Sequence, residues 1–363
     1  MDNKNARVTV KDIAKAADVS IATVSRVLNQ NYYVSPEITE RVLEKAAELG
    51  YVPNLIARSL KINVTKTIGF IMSDISNTYH ITIAKAVEDV IKQEDYSLMV
   101  CSTDNKKERE LSYLNLLWSK NVDALILNCT GKNNELIGLM NQSIPMVCVN
   151  RKLDISGFHG DVVDTNNFKG AYLLTRQLLQ LGHRKIFVVN GTPGLSNSVE
   201  RFEGFCSAMA EAGLPVTSSY PYQYTGNFRL ESGYQAIEYM CEMSDKPTAV
   251  LCMNNMMSIG ALKCLKAKGI NLPDDLSICS YDGIENMELM ATRPSVACFN
   301  PYEIGTRVGN AILERITHPR QKNRQFIFEP AMIAGNTMSI PSDNFAKKFP
   351  AKNLSQDFEK TFT

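Results

Sequence analysis

Polar residues stand directly after apolar runs of this sequence, at positions where they could bind a small ligand. Asn150 follows PMVCV, Gly191 follows KIFVVN, Asn254 follows AVLCM and Asp282 follows LSICSY. In open sheets of parallel strands, ligands bind beyond the carboxyl ends of the strands. Amide and carboxylate groups there suit hydrogen bonds to a polyhydroxylated molecule, although the same side chains could merely cap helices or strand ends.

A second group of residues, near the start of the chain, could bind nucleic acid. On a helical wheel of residues 21–29, Val24, Val27 and Leu28 share one side, and Ile21 lies at its edge. The opposite side and its flanks carry Ala22, Thr23, Ser25, Arg26 and Asn29. An arginine can donate two hydrogen bonds to a guanine edge, and a small apolar side chain can contact a thymine methyl group. The same spacing also suits a small helical bundle with another role.

Three short helices must position this second group. Thr9 and Asp12 form a capping-box pattern that begins the first helix, and Ser20 can cap the second. Ser35 and the proline after it begin a third helix, which ends at Gly50. That third helix is predicted to bury Ile38, Val42, Ala46 and Leu49. The first two helices and their short turn form a helix-turn-helix, whose second helix enters the major groove of DNA.

From Thr67 onward, apolar runs alternate with amphipathic stretches. The runs are TIGFIMS, YSLMVCS, ALILNC, PMVCVN, KIFVVNG, AVLCMN and LSICSYD. Such runs, separated by helical stretches, indicate parallel sheets covered on both faces. Because there are too many strands for one comfortable sheet, the predicted fold class is α/β, with two doubly wound subdomains behind an all-α headpiece. From Pro341 the sequence is polar and lacks periodicity, so we expect a loosely ordered tail.

Longer motifs of the sequence point to a family. They are VTVKDIAKAADVSIATVSRVLNQ, LGYVPNLIARSL, LGHRKIFVV, RFEGF and SYD. Together they resemble the lactose/galactose repressor family, over most of the chain to about Thr337. The resemblance implies a DNA-binding transcriptional repressor with a two-lobed effector domain like the periplasmic binding proteins. It adds Ile21 to Ala22 and Arg26 as base-reading residues. Residues that match phosphate contacts of the family are Thr9, Ser20, Thr23, Asn29 and Tyr33.

We also expect a division of the chain into four parts. They are a headpiece over 1–52, a hinge helix over 53–64, an effector and dimerisation domain over 65–340 and the tail over 341–363. Within the third part we expect a first lobe of about 65–165 and 300–330, and a second lobe of about 166–299. In the family the hinge helix wedges a leucine between base steps of the minor groove. Leu60 matches that leucine, and Asn54 and Ala57 match neighbouring contacts.

For the effector site, the resemblance adds residues from both lobes. Arg201 corresponds to an arginine that hydrogen-bonds the effector, and Asn197 lies one helical turn earlier. Asp282 corresponds to an acidic residue that binds sugar hydroxyls or a purine, and Phe228 to an aromatic residue that packs on the ligand. With the first-lobe matches, the predicted effector site is Tyr79, His80, Asn150, Asn197, Arg201, Phe228, Asn254 and Asp282.

Two departures from the family pattern bear on the ligand. Asn150 stands where an aspartate is common, and Asn255 stands where an aspartate usually follows Asn254. The loss of two carboxylates weakens the case for an ordinary hexose. A sugar or glycoside still ranks first as the effector, and a nucleoside or sugar phosphate ranks second.

Composition and motifs argue against other classes. The net charge is +1, so any DNA contact must come from a local arrangement of residues. There is no P-loop motif, no G-x-S-x-G, no H-E-x-x-H and no histidine pair at ligand spacing, so we expect no enzyme activity, cofactor or metal. The nine cysteines lack C-x-x-C spacing, which favours reduced thiols. Without a signal peptide or an apolar run near ~18 residues, we expect a cytoplasmic, nucleoid-associated bacterial protein with no membrane contact.

We therefore expect a homodimer or tetramer that binds a palindromic, double-stranded operator and releases it when a sugar-like effector binds. Corepression remains the alternative, because nothing in the sequence fixes the sign of the response. A sugar-binding transport protein would not need the headpiece. A sugar-modifying enzyme would need a pair of titratable groups in the cleft, and none is evident.

Overall fold

A computed structural model describes residues 8–29, 32–51 and 64–350 of the chain. These residues form two compact units, one ending at Thr65 and one beginning at Lys66. In the first unit, three helices occupy Val10–Ala16 (α1), Ile21–Asn29 (α2) and Pro36–Glu48 (α3).

Local sequence explains where the three helices begin and end. The Thr9 backbone N–H and hydroxyl both donate to the Asp12 carboxylate, at 2.8 and 2.7 Å, so the predicted box closes the start of α1. At the start of α2, the Ser20 hydroxyl accepts a hydrogen bond from the Thr23 backbone N–H at 3.1 Å. Gly50 follows α3 with a φ of +64°, a left-handed conformation that suits glycine.

One apolar cluster joins the three helices. Ile13, Val24 and Val42 are fully buried in it, one from each helix. The expectation that Leu49 is buried with them is wrong, since this side chain is 38% exposed. The reason is local: α3 ends at Glu48, and the chain turns away at the next residues.

The second unit holds two six-stranded sheets with helices around them. Its strands are β1 (Thr67–Met72), β2 (Ser97–Ser102), β3 (Ala124–Leu127), β4 (Met146–Val149), β5 (Gly160–Thr165), β6 (Ile186–Asn190), β7 (Gln223–Thr225), β8 (Ala249–Cys252), β9 (Ser277–Tyr281), β10 (Ser295–Cys298), β11 (Gln325–Phe328) and β12 (Ala331–Ile333). Its helices are α4 (Thr78–Ile91), α5 (Lys107–Ser119), α6 (Asn134–Asn141), α7 (Asn167–Gln180), α8 (Ser196–Glu211), α9 (Leu230–Glu242), α10 (Asn255–Ala267), α11 (Pro301–Thr317) and α12 (Asn344–Lys348), and single 3₁₀ turns occupy Lys92–Glu94 and Met287–Leu289.

Each sheet is the centre of one lobe. The first sheet has the order β11-β5-β4-β3-β1-β2, and every neighbouring pair is parallel. The second has the order β12-β10-β9-β8-β6-β7, and only its edge strand β12 is antiparallel. The central strands β3, β4, β8 and β9 are buried along their whole length, as expected for sheets covered on both faces. The parallel α/β fold class predicted from the sequence is confirmed.

The chain crosses between the two lobes three times. It leaves the first lobe after β5, returns to it after β10, and leaves it again after β11. The crossovers therefore lie near residues 166, 299 and 330, and any motion of one lobe against the other must bend them.

The expectation of a loosely ordered tail is wrong for residues 341–350. Phe345, in α12, is only 1% exposed and contacts Phe349 at 5.4 Å between ring centres. The Asn344 amide donates to the Asp274 carbonyl at 3.1 Å, and Lys348 pairs with Asp275. Two apolar rings one helical turn apart fix this segment on the second lobe, while residues 351–363 lie outside the described part of the chain.

Two other features bear on the class of protein. All nine cysteines are free, and all but Cys206 and Cys298 are buried. Within the described residues, no helix has the length and apolar character needed to cross a membrane.

Candidate ligand cleft and nucleic-acid interface

The exposed face of α2 carries the residues predicted to read bases. Ile21 is 50% exposed although the helical wheel alone places it nearer the core, and Ala22 and Arg26 are exposed too. The guanidinium carbon of Arg26 lies 5.6 Å from the ring centre of Tyr32. A cationic side chain held over an aromatic ring beside two small apolar groups is chemically suited to a groove of DNA.

Some of the residues predicted to contact phosphates already use their side chains in hydrogen bonds within the protein, and others do not. The hydroxyls of Thr9 and Ser20 take part in the helix starts described above, as does Thr23, whose hydroxyl lies 2.9 Å from that of Ser20. The Asn29 amide donates to the Ser25 carbonyl at 2.7 Å and to the Ser25 hydroxyl at 3.2 Å, which fixes both side chains along α2. Tyr33 is the most open of the set, at 89% exposed. Asn54, Ala57 and Leu60, predicted for the hinge, lie outside the described residues.

A narrow cleft lies between the two lobes. The space in it that the centres of water molecules could occupy is about 40 Å³. All eight predicted effector residues line it. They come from loops beyond strand ends and from the first turns of α4 and α8. The cleft is further lined by residues that sequence reasoning missed: Ser73, Asp74, Asn77, Asp104, Asn105, Asn128, Arg151 and Arg229.

In the second lobe, Arg201 is the centre of the wall. It is only 6% exposed. Its Nε donates to the Asn167 side-chain oxygen at 2.9 Å, and its Nη1 donates to the Met253 carbonyl at 2.6 Å. Its guanidinium carbon lies 3.7 Å from the ring centre of Tyr281. The nearest carboxylate, that of Asp282, is 3.4 Å away, so the guanidinium group is held chiefly by neutral partners.

Phe228 forms an apolar patch in the same wall. A Cβ atom on Gly191 would come within 1.9 Å of the Phe228 ring, so the ring packs directly on the glycine backbone. Phe228 has a φ of +66°, which is rare for a bulky residue, and the Asn254 amide holds its carbonyl at 3.0 Å. Non-glycine residues with such φ values cluster at ligand sites. The Asn254 side-chain oxygen also caps α10 by accepting from Met257, so both ends of this amide are engaged in the protein.

In the first lobe, Tyr79 and His80 form the opposite wall. The Tyr79 hydroxyl donates to the Asn150 side-chain oxygen at 3.1 Å. The His80 Nε2 atom lies 2.9 Å from the Ser73 hydroxyl. Burial in the cleft, with the nearby charge of Arg151, lowers the pKa of His80 to about 4, so the imidazole is neutral at pH 7. Burial likewise lowers the pKa of Arg151 to about 10, and its Nη1 donates to the Cys129 carbonyl at 2.9 Å.

Several buried polar atoms of the cleft residues have no partner in the protein. One group consists of acceptors: the side-chain oxygens of Asn105, Asn128 and Asn197. The other consists of donors, the Asn150 amide nitrogen and the Arg151 Nε. Because buried polar groups are nearly always hydrogen-bonded, these atoms are available to a ligand that both donates and accepts.

Most of the missed residues obey the strand-end rule that found the others. Ser73 follows β1, Asn105 lies just past β2, and Asn128 follows β3. Arg151 follows Asn150 after β4. Applied to every apolar run, the same rule would have found them. Within the described residues, no cluster of three histidine, cysteine or acidic side chains could hold a metal ion.

Comparisons with known proteins agree with this architecture. Residues 9–54 match a family model described as bacterial regulatory proteins of the lacI family. Residues 65–334 match a model described as periplasmic binding proteins and sugar binding domain of the LacI family.

A curated relative belongs to the same family, and solved structures share the fold. The chain is 35% identical over 320 residues to the HTH-type transcriptional repressor PurR of Haemophilus influenzae (strain PittEE), covering 88% of this chain and 94% of that one. A crystal structure of the lac repressor dimer bound to operator and the anti-inducer ONPF matches with a TM-score of 0.76 at 22% identity, covering 92% of this chain and all of that one. A complex of the regulator CelR with cellobiose matches with a TM-score of 0.68 at 23% identity, with the same coverage. The chain therefore belongs to the LacI family of bacterial regulatory proteins.

Proposed function

We propose that this LacI-family transcriptional repressor binds a palindromic operator as a homodimer and releases it when a sugar or glycoside enters the cleft. One observation carries the effector part of the proposal: buried donors and acceptors without a protein partner belong to residues that line the cleft, four in the first lobe and Asn197 in the second. Hydroxyl groups can satisfy either kind of atom, so a polyhydroxylated molecule matches this wall of carboxamides. The match of residues 65–334 to a sugar-binding domain supports the same choice.

The charges of the cleft favour an uncharged effector. Three carboxylates line it, those of Asp74, Asp104 and Asp282, and so do the guanidinium groups of Arg151, Arg201 and Arg229. His80 adds no charge at pH 7, because its pKa lies at about 4. A phosphorylated ligand would bring two negative charges into a site whose own charges are balanced, and burying an uncompensated charge is costly.

A nucleobase or nucleoside acting as corepressor is the second candidate. The relationship to repressors named PurR, at 35% identity over most of both chains, favours it. Asp282 and Phe228 could serve either ligand, the first by hydrogen bonding and the second by packing on a flat face. A corepressor would tighten operator binding, whereas a sugar or glycoside acting as an inducer would release the operator.

The proposed mechanism couples the cleft to the headpieces through lobe motion. A ligand that changes the angle between the lobes must bend the crossovers near residues 166, 299 and 330. In a dimer, this motion would change the separation of the two chains as they leave the effector domains for the headpieces. The coupling required is modest, since ~3 kcal/mol changes operator affinity by roughly 150-fold.

A thermal-shift screen tests the effector proposal. The full chain is melted with neutral sugars, glycosides, nucleobases, nucleosides and sugar phosphates at millimolar concentration. A ligand at 100 times its dissociation constant stabilises the folded state by ~2.7 kcal/mol, which raises the melting temperature by several degrees. We expect neutral sugars or glycosides to give the shift, and the Asp282→Asn variant to show a smaller shift at the same concentration. A shift with nucleobases alone would establish the second candidate, and a shift with sugar phosphates alone would refute the argument from charge.

A further inference from the structure

We propose that Asn77 and Asn255 form an interlobe amide pair that holds one end of the cleft closed and so sets the resting angle between the lobes. Asn77 belongs to the first lobe and Asn255 to the second, 178 positions later in the chain. Their side chains exchange two hydrogen bonds, at 3.1 Å in one direction and 3.0 Å in the other. This pair is a positioning element for the ligand site, separate from the ligand contacts proposed above.

The orientation of each amide is fixed by its own helix. The Asn77 side-chain oxygen caps α4 by accepting from the Tyr79 backbone N–H at 3.1 Å. The Asn255 side-chain oxygen accepts from the Met256 backbone N–H at 2.8 Å, at the start of α10. With both oxygens turned toward helix N–H groups, both amide nitrogens must point across the cleft. The reciprocal pairing therefore follows from helix capping in each lobe.

This pair is the most buried of the polar contacts that cross the cleft. Asn77 is 7% exposed and Asn255 is 3% exposed. Three ion pairs also join the lobes in the described part of the chain: Lys152 with Glu200, Arg229 with Asp104, and Lys169 with Glu329 beside a crossover. The Lys152 backbone N–H also donates to the Ser196 hydroxyl at 3.0 Å. The side chains of these ion pairs are 24–57% exposed, and ion pairs in contact with water contribute little.

The pair depends on asparagine at both positions. The resemblance to the family leads one to expect an aspartate at position 255, and a carboxylate there could accept from Asn77 but could not donate to it. Only one of the two hydrogen bonds would then form. In this chain the second bond adds to the preference for the closed arrangement. Together the two bonds favour it on the order of ten- to a hundredfold in the closed-to-open ratio.

A closed resting state has a kinetic consequence for any ligand. Because the ligand must enter an open cleft and is then held in a closed one, the amide pair slows both entry and escape. Removing the amide pair should accelerate both the association and the dissociation of the ligand. The dissociation constant should therefore change less than either rate constant. A substitution that merely damaged the site would not accelerate association.

The test uses paired aspartate variants of the full chain and needs no ligand. In Asn77→Asp or Asn255→Asp alone, the new carboxylate still accepts from its own helix and from the facing amide. In the double variant, two carboxylates face each other and no hydrogen bond joins these two side chains. Hydrogen exchange is then measured at residues 150–152 and 227–229, two segments that include cleft residues and carry neither substitution. The radius of gyration is measured by X-ray scattering.

At those segments we expect hydrogen exchange in the double variant to be at least tenfold faster than the combined effects of the two single variants would predict. We also expect its radius of gyration to be larger. Additive effects and an unchanged radius would overturn the proposal. Should the double variant not fold, Asn77→Ser replaces it, because serine still caps α4 but is too short to reach Asn255. Asn300→Ser is the matched control, since Asn300 caps α11 and bonds only within its own first turn. Equal exchange in these two serine variants would equally refute the amide pair.

Discussion

The Nη1 atom of Arg201 lies 3.4 Å from the Oδ2 atom of Asp282, while the guanidinium group stacks on Tyr281 at 3.7 Å. This separation is long for a buried ion pair, and the hydrogen bonds of Arg201 go mainly to Asn167 and the Met253 carbonyl. Burial consequently raises the pKa of Asp282, although Arg201 partly offsets the shift. Because Arg201 engages it through one long contact, the Asp282 carboxylate can also accept hydrogen bonds from a ligand.

Asp282→Asn should weaken effector binding without damaging the fold. Asp282 has a φ of +65°, and asparagine tolerates this conformation as well as aspartate does. The change removes a charged acceptor from ligand hydroxyls, worth about 1.5–3 kcal/mol, or more than tenfold in the dissociation constant. Calorimetry with the compound found by thermal shift measures the loss. Asp245→Asn, in the same lobe but at a side chain that is 61% exposed, is the control and should bind normally.

His80→Gln should reduce the loss of stability in mild acid. Burial and Arg151 lower the pKa of His80 from its ordinary 6.5 to about 4 in the folded protein. The unfolded chain therefore binds a proton first, and the stability due to neutral His80 is lost as the pH falls from about 6.5 toward 4. Glutamine cannot be protonated there yet can still bond Ser73. Melting at pH 7.5 and 5.0 should show a smaller drop for the variant, and equal drops would show that His80 does not contribute.

The effect of Asp164→Asn on stability should depend on pH in the opposite direction to that of His80→Gln. Burial, with a smaller effect of Glu200, raises the pKa of Asp164 from 3.8 to about 6, and its Oδ2 atom has no partner in the protein. Here the folded state binds the proton more tightly, so stability is lost as the pH rises from about 4 through 6. The asparagine variant should melt higher than the wild type at pH 8, and that advantage should shrink at pH 5. A difference independent of pH would mean that Asp164 does not titrate in this range.

Arg26→Ala should relax the preference for one base pair in each operator half-site. A two-bond contact to a guanine discriminates by about 1–3 kcal/mol, whereas a phosphate contact acts equally on all sequences. Competition among sites with each base at each position, drawn from a selection on random DNA, measures the preference. Arg26→Lys keeps the charge but loses the paired geometry, so it should also relax the preference. Arg41→Ala, an exposed arginine of α3 outside the predicted set, should leave every preference unchanged.

Local rules predicted the parts of this structure that depend on neighbouring residues. Caps at Thr9 and Ser20 and the glycine at position 50 placed the first three helices, and strand-end residues such as Asp282 lie in the cleft as expected. The prediction for the tail was wrong because Phe345 and Phe349 form only one turn of apolar pattern, which is too short to stand out in a polar sequence. The pairing of Asn77 with Asn255 was beyond sequence reasoning, since it depends on how two lobes meet.

The central claim is that a small molecule in the cleft changes the affinity of the chain for its operator. The decisive measurement is fluorescence anisotropy of a selected palindromic site, titrated with the full chain at fixed salt, with and without the compound found by thermal shift. We predict at least tenfold weaker operator binding with the compound, and a smaller change for Asp282→Asn at the same compound concentration. An unchanged operator affinity, with the compound bound at saturation, would contradict the account.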